Sequence, residues 1–264
     1  MLGREQFDHV RALLENHTGI LLGEHKRAMV EHRLGMRINQ LGYQSVEQYL
    51  QLLGRGNCDS ELQFFIDRLT THETSFFREP MQFEKLKWWL ESLPFRAPLK
   101  AWSAACSSGE EAYSLAMVLD DSYGNSNWSL LGTDVSANVV ENARQCQYPL
   151  SLAEKIPPFY RKRYCLKGIG ENEGHFTIAQ CLRRFCHFSQ HNLLASPQPQ
   201  QYDVIFLRNV LIYFDSERQK KIVDNVIESL AVKGLLFLGH SENVLRKHSK
   251  MVQVENCIYR RERL

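Results

Sequence analysis

No apolar run in this 264-residue chain reaches the roughly 18 residues that a membrane-spanning helix needs. The charged start MLGREQFDHV has no signal-peptide core. Seven cysteines, at 58, 106, 146, 165, 181, 186 and 257, form no C-x-x-C pair. Neither a zinc ribbon nor a disulfide framework is indicated, and buried thiols in a reducing cytoplasm are expected. An excess of one charge is also missing: 32 Lys and Arg face 30 Asp and Glu, for a net +2. That balance argues against bulk attraction to nucleic acid. With 44% hydrophobic and 23% charged residues, a soluble globular protein of one large domain, or a large and a small one, is expected.

Glycine is scarce where a dinucleotide fold would use it. Leu99–Ala105 reads as a buried strand, and Cys106-Ser107-Ser108-Gly109 as a tight turn. A helix follows, with Ala112, Leu115, Ala116 and Leu119 on one face. Of the usual three glycines only Gly109 stands. Glu110 and Glu111 open the helix and would repel a phosphate, but not a ribose hydroxyl or a cation.

Asp134 ends the next apolar strand, near the spacing of roughly 20 residues at which such sheets place an acid on ribose. The bland alternative is that Asp134 only caps the helix starting near Ser136. A nucleoside site without phosphate, on this type of sheet, suggests S-adenosylmethionine.

Residues 1 to about 70 read as helices only. Phe7, Val10, Leu13 and Leu14 make one apolar face, and Gly19 and Gly23 interrupt it. The spacing predicts a helix over Glu24–Leu41, with Lys26, Arg33 and Arg37 aligned on one basic edge. That edge is either a solvated face or a dock for an acidic partner helix. Met81–Leu93 is expected to be a helix stopped by Pro94. After helix Ser136–Cys146, Gly168, Gly170 and Gly174 mark a turn, and His175–Ala179 alternates like an exposed strand, so a small antiparallel insertion is expected. Tyr202–Leu207 and Gly234–Gly239 read as buried strands with polar tips at Arg208-Asn209 and His240-Ser241-Glu242-Asn243. Val252–Arg260 reads as one antiparallel edge strand.

The segments HETSFFRE, WSAACSSGEEAYSLAM, GTDVS, FLRNVLIYF and FLGHSEN together resemble the CheR family, the chemotaxis-receptor glutamate O-methyltransferases. The resemblance runs from about residue 5 to residue 260. It implies an α/β fold: a Rossmann-like S-adenosylmethionine-dependent methyltransferase domain, an inserted antiparallel β-subdomain and an all-helical N-terminal domain. The expected limits are 1–75 for the helical domain, 76–94 for a linker helix and 95–264 for the methyltransferase domain, with the insertion at about 165–184. The implied reaction moves a methyl group from S-adenosylmethionine to receptor glutamate carboxylates, giving methyl esters and S-adenosylhomocysteine, without a metal.

The resemblance also implies roles for single residues. His72, Thr74, Arg78, Glu111, Asp134, Asn192, Leu193, Arg208 and Asn209 contact the cofactor. His72 stands where the family usually has asparagine, and Glu110 is the alternative to Glu111. Arg78 and Tyr213 orient the acceptor carboxylate beside the transferred methyl, although Tyr213 alone reads as a core aromatic. Lys26, Arg33 and Arg37 meet the receptor helices. Gly168, Gly170 and Gly174 match the loop with which some members bind a receptor's C-terminal pentapeptide. The expected partners are cytoplasmic domains of chemoreceptors, met by a cytoplasmic monomer without nucleic acid or membrane insertion. Two rivals are a nucleic-acid or small-molecule methyltransferase and a silent scaffold sensing S-adenosylhomocysteine. The tip Arg208-Asn209-Val210-Leu211 lacks the Asn/Asp-Pro-Pro-aromatic pattern of base amino-group methylation.

Overall fold

The computed structural model describes residues 2–54, 58–70, 72–93, 98–123, 127–242, 244–245 and 248–262. The expected stop at Pro94, the boundary at 94 and 95, the outer limits Met1 and Leu264, and Asn243 of the strand-tip motif lie outside the described residues.

The N-terminal helices are α1 (Arg4–Thr18), α2 (Arg27–Gln40), α3 (Val46–Leu53) and α4 (Asp59–Leu69). Their helical spacing turns Phe7, Val10, Leu14, Val30, Leu34, Ile38, Phe65 and Leu69 into one core. Each such side chain, fully buried, stabilises by ~1.5–3 kcal/mol. Gly19, at φ 77°, ends α1. The helix expected from Glu24 begins as a 3-10 turn, Glu24–Lys26, and becomes α2 only at Arg27.

Helix α5 (Pro80–Ser92) crosses to the second unit. There β1 (Leu99–Ala104), α6 (Glu110–Tyr123), β2 (Trp128–Asp134) and α7 (Ala137–Gln145) follow one another. Next come β3 (Gln147–Pro149), α8 (Pro158–Tyr164), β4 (Cys165–Lys167), β5 (His175–Ile178) and α9 (Gln180–Arg183). The chain finishes with β6 (Cys186–Gln190), β7 (Tyr202–Leu207), α10 (Ser216–Glu228), β8 (Leu230–Leu238), β9 (Met251–Glu255) and β10 (Ile258–Arg261).

Seven strands form one sheet in the order β6-β2-β1-β7-β8-β10-β9. The first five run parallel, and β10 joins antiparallel. Helices on both faces bury the apolar runs Val204–Leu207 of β7 and Leu235–Leu238 of β8. The strand order reverses between β1 and β7, where open α/β sheets bind ligands beyond the strand tips. The register levels those tips: Ala104 lies opposite both Thr133 and Leu207. Ala105, Asp134 and Arg208, distant in sequence, therefore emerge side by side.

Three local expectations change. The Val252–Arg260 strand is a hairpin of β9 and β10, because Asn256 and Cys257 turn the chain, with Cys257 at φ 57°. Strand β5 is the centre of a three-stranded sheet, β3-β5-β4, and buries Phe176 against Phe76 and Tyr148, with Ile178 in the same core. That small sheet also uses Gln147–Pro149, upstream of the 165–184 segment.

Candidate functional site

A cavity of about 360 Å³ opens above the switch point. His72, Thr74, Arg78, Glu111, Asp134, Asn192, Leu193, Arg208, Asn209 and Tyr213 all line it. The β1–α6 turn, the β2 tip and the β7 tip build its base. The α1–α2 connector, from Ile20 to Lys26, roofs it together with Met29.

Asp134 is 7% exposed and accepts the N–H groups of Ser107 (2.9 Å) and Ser136 (3.1 Å). It is not the helix cap: the Ser136 hydroxyl caps α7 by accepting Val139 N–H. The two Asp134 oxygens hold backbone amides and keep acceptor capacity toward the cavity. Burial raises the carboxyl above its usual range, opposed by those amides and by the charge of His72. Such a group welcomes further donors.

Glu111, not Glu110, faces the cavity. Its carboxylate accepts from Ser103 Oγ (2.7 Å) and from Arg208 Nε (2.8 Å). Glu110 is turned away and accepts from Ser108 Oγ. The Arg208 side chain, 1% exposed, also reaches Glu79 Oε2 at 3.4 Å and Gln82 Oε1 at 3.1 Å, beneath the rings of Phe83 and Phe206. Two carboxylates share one guanidinium, so a negative surplus remains beside the cavity. A cationic ligand would complete the balance.

The HETSFFRE segment is positioned by its aromatics. Phe76 meets Tyr148 edge-on at 5.0 Å, and Phe77 stacks on Tyr160 at 5.3 Å. The Phe77 N–H donates to Ser114 Oγ on α6. These anchors bring Thr74 and Arg78 to the cavity, where Arg78 Nη1 donates to Glu73 O. His72 Nε2 lies 2.6 Å from Thr70 Oγ1, whose hydroxyl also reaches Ile66 O. Which of His72 and Thr70 donates in that contact is set by the imidazole tautomer. Burial lowers its pKa, partly offset by Asp134 and Asp67.

On the far wall Asn192 is oriented by two bonds: Nδ2 donates one N–H to His17 O, and Oδ1 accepts Leu194 N–H. Tyr213 sits on a 3-10 turn, Leu211–Tyr213, and its carbonyl accepts Leu21 N–H at 2.9 Å. Arg218 of α10 pairs with Glu15 of α1 at 2.6 Å. Bundle and sheet thus share this wall.

The three basic residues are held in different ways. Arg37 is bound to Glu61 through Nε (3.0 Å) and Nη2 (2.5 Å), and Tyr49 donates to the same carboxylate. Arg33 donates to the carbonyls of Arg68 and Thr70. The bundle's own packing claims both guanidiniums. Only Lys26 lines the cavity, because the 3-10 turn displaces it from the α2 stripe.

The glycine loop joins β4 to β5. A side chain at Gly168 would overlap the Asn172 carbonyl oxygen, and Gly170 and Gly174 have φ of 59° and 82°. Ile169 is 84% exposed between them. Cys106, Cys146, Cys186 and Cys257 are buried, Cys58 and Cys165 are partly so, and Cys181 is exposed. No group of three His, Cys, Asp or Glu residues suited to a metal ion occurs among the described residues. No helix among them is long and apolar enough to cross a membrane.

Sequence reasoning missed Ser107, Glu79, Gln82, His191, Glu242 and the α1–α2 connector. The signal for Glu79 was its place directly after Arg78, and for Glu242 its place in a strand-tip motif.

The profile described as CheR methyltransferase, all-alpha domain, matches residues 5–70, and the CheR methyltransferase, SAM binding domain, matches residues 72–259. The chemotaxis protein methyltransferase of Salmonella typhimurium is 38% identical over 246 residues, covering 92% of this chain and 85% of that protein. Chemotaxis protein methyltransferase 2 of Pseudomonas aeruginosa is 37% identical over 261 residues, covering 97% and 92%. Among solved structures, a magnesium protoporphyrin IX methyltransferase of Synechocystis with bound SAM aligns at a TM-score of 0.38, with 16% identity over 69% of this chain and 76% of that one. With both of its domain profiles matched in order over nearly the whole sequence, this chain belongs to the CheR methyltransferase family.

Proposed function

We propose that this protein transfers the methyl group of S-adenosylmethionine to glutamate side chains in the cytoplasmic domains of chemoreceptors. The products are glutamyl methyl esters and S-adenosylhomocysteine. One observation carries the reading: the cavity joins an acid-rich base to a rim that holds both Arg78 and Tyr213.

The residues present fit the cofactor. Asp134 retains acceptor capacity for ribose hydroxyls. The surplus charge of Glu111 and Glu79 over Arg208 suits the cationic methionine end. Leu193 offers an apolar surface and His191 a ring to the adenine side. When bound, S-adenosylmethionine supplies an electrophilic methyl group on a positively charged sulfur.

The chain's own task is alignment. A glutamate carboxylate is already ionised near pH 7, so no strong base is required. Arg78 draws that carboxylate in, and Tyr213 limits its approach to one direction. Water displaced from the cavity by the bound ligands would strengthen both contacts. Lys26, at the roof, adds attraction for acidic receptor segments. The β4 edge of the small sheet, with its Gly168, Gly170 and Gly174 loop, offers a strand-addition site for a receptor's C-terminal peptide.

The test is methyl transfer from radiolabelled cofactor to receptor-enriched membranes, followed by alkaline release of the label as methanol. Alkali-stable label, or none, would overturn the proposal. Titration with a receptor tail peptide tests the tether separately; absence of binding removes it and leaves the reaction standing.

A further inference from the structure

Glu242 lies just past β8 and does not line the cavity. It is 3% exposed. Its carboxylate accepts four backbone N–H groups: Oε2 takes Gly239 (2.8 Å) and Asn209 (3.0 Å), and Oε1 takes Val210 (2.9 Å) and Leu211 (2.8 Å). One side chain from the β8 tip thereby sets the course of the loop leaving the β7 tip. A buried carboxylate is costly unless its lone pairs are filled, and here each oxygen receives two donors.

The loop needs such a template. Asn209 is held at φ 58°, in the left-handed region that side chains rarely enter. That turn aims three successive amides at one anion. Gly239 leaves the space: a side-chain carbon there would sit 2.8 Å from Glu242 Oε2 and 2.9 Å from Asn209 N. Directly after the anchored amides, the chain forms the 3-10 turn that carries Tyr213. Asn209, Val210, Ile212 and Tyr213 all line the cavity.

We propose that Glu242 is a positioning residue for methyl transfer, fixing the Asn209–Tyr213 loop so that Tyr213 stands at the acceptor side of the cavity. This rests on the reading of the site as a methyltransferase centre. Glu242 touches neither substrate nor cofactor and acts through the loop alone.

The experiment compares wild type with E242Q. Glutamine keeps the shape but turns one acceptor into a donor facing two N–H groups, so that half of the nest is lost. The expected result is selective: kcat falls about tenfold or more, because small misplacements at a reacting centre are costly. The receptor KM stays within about threefold, and the calorimetric affinity for S-adenosylhomocysteine falls less than kcat, because Asp134 and the β1 turn are untouched and only Asn209 on the cofactor side moves with the loop. E242D, which keeps the charge with a shorter reach, restores part of kcat. An unchanged kcat, or kcat and affinity falling together with the folded fraction, overturns the proposal. Should E242Q not fold, Gly239→Ala strains the same contacts from the opposite side and must give the same split; otherwise the proposal fails. A wild-type enzyme that transfers no methyl group would instead overturn the functional reading beneath it.

Discussion

Arg208 and Glu111, 97 residues apart in sequence, meet through a buried contact of 2.8 Å between Nε and Oε2. Glu79 lies on the other side of the same guanidinium. Arg208→Met would strand both carboxylates. A loss of ~3–5 kcal/mol in unfolding free energy is expected, read from the denaturant midpoint. Glu111→Gln should lower affinity for S-adenosylmethionine more than stability, with calorimetry and melting compared on the same preparation.

Asp134→Asn replaces one acceptor by a donor opposite a backbone amide. Affinity for S-adenosylhomocysteine is expected to fall roughly tenfold to hundredfold. Asp134→Ala should bind no better. Calorimetric titration checks both, and an unchanged affinity would remove Asp134 from the ligand site.

Burial holds His72 below its ordinary pKa of 6.5, with Arg33 adding to the shift and Asp134 and Asp67 opposing it. As pH falls through 6.5, the unfolded chain takes up a proton that the folded chain still refuses. His72 therefore contributes its full stability above that pH and loses it below. The Tm of wild type relative to His72→Gln should drop between about pH 7.5 and about pH 5.5. Burial also raises the carboxyls of Glu110 and Glu242, but those groups are common to both proteins.

Substitution separates Arg37 from Lys26. Arg37→Glu sets a carboxylate against Glu61, and a loss of ~1–3 kcal/mol is expected in denaturant melts. Lys26→Ala should leave stability within about 0.5 kcal/mol and raise the receptor KM. A Lys26 variant with unaltered receptor kinetics would restrict that residue to the wall of the cavity.

The central strands were legible because they are buried on both faces, and burial writes itself as runs such as Val204–Leu207. Asp134 was legible because a lone acid closing such a run has few other uses. The partner of Arg37 was not, because Glu61 lies in another helix and only the bundle's packing brings it near. The roof of the cavity was hidden for a related reason. Gly19 and Gly23 announced a break in the helices, but not that the intervening backbone would reach Tyr213 across the molecule. The β9–β10 hairpin escaped notice because Asn256-Cys257 carries no glycine, although cysteine accepts the left-handed turn there.

The hydrogen bond from Leu21 to the Tyr213 carbonyl has a thermodynamic corollary. Two separately built cores each supply part of one bowl, and any occupant must touch both. Occupancy therefore works as a clamp: it adds binding free energy to the union of the halves and couples their melting.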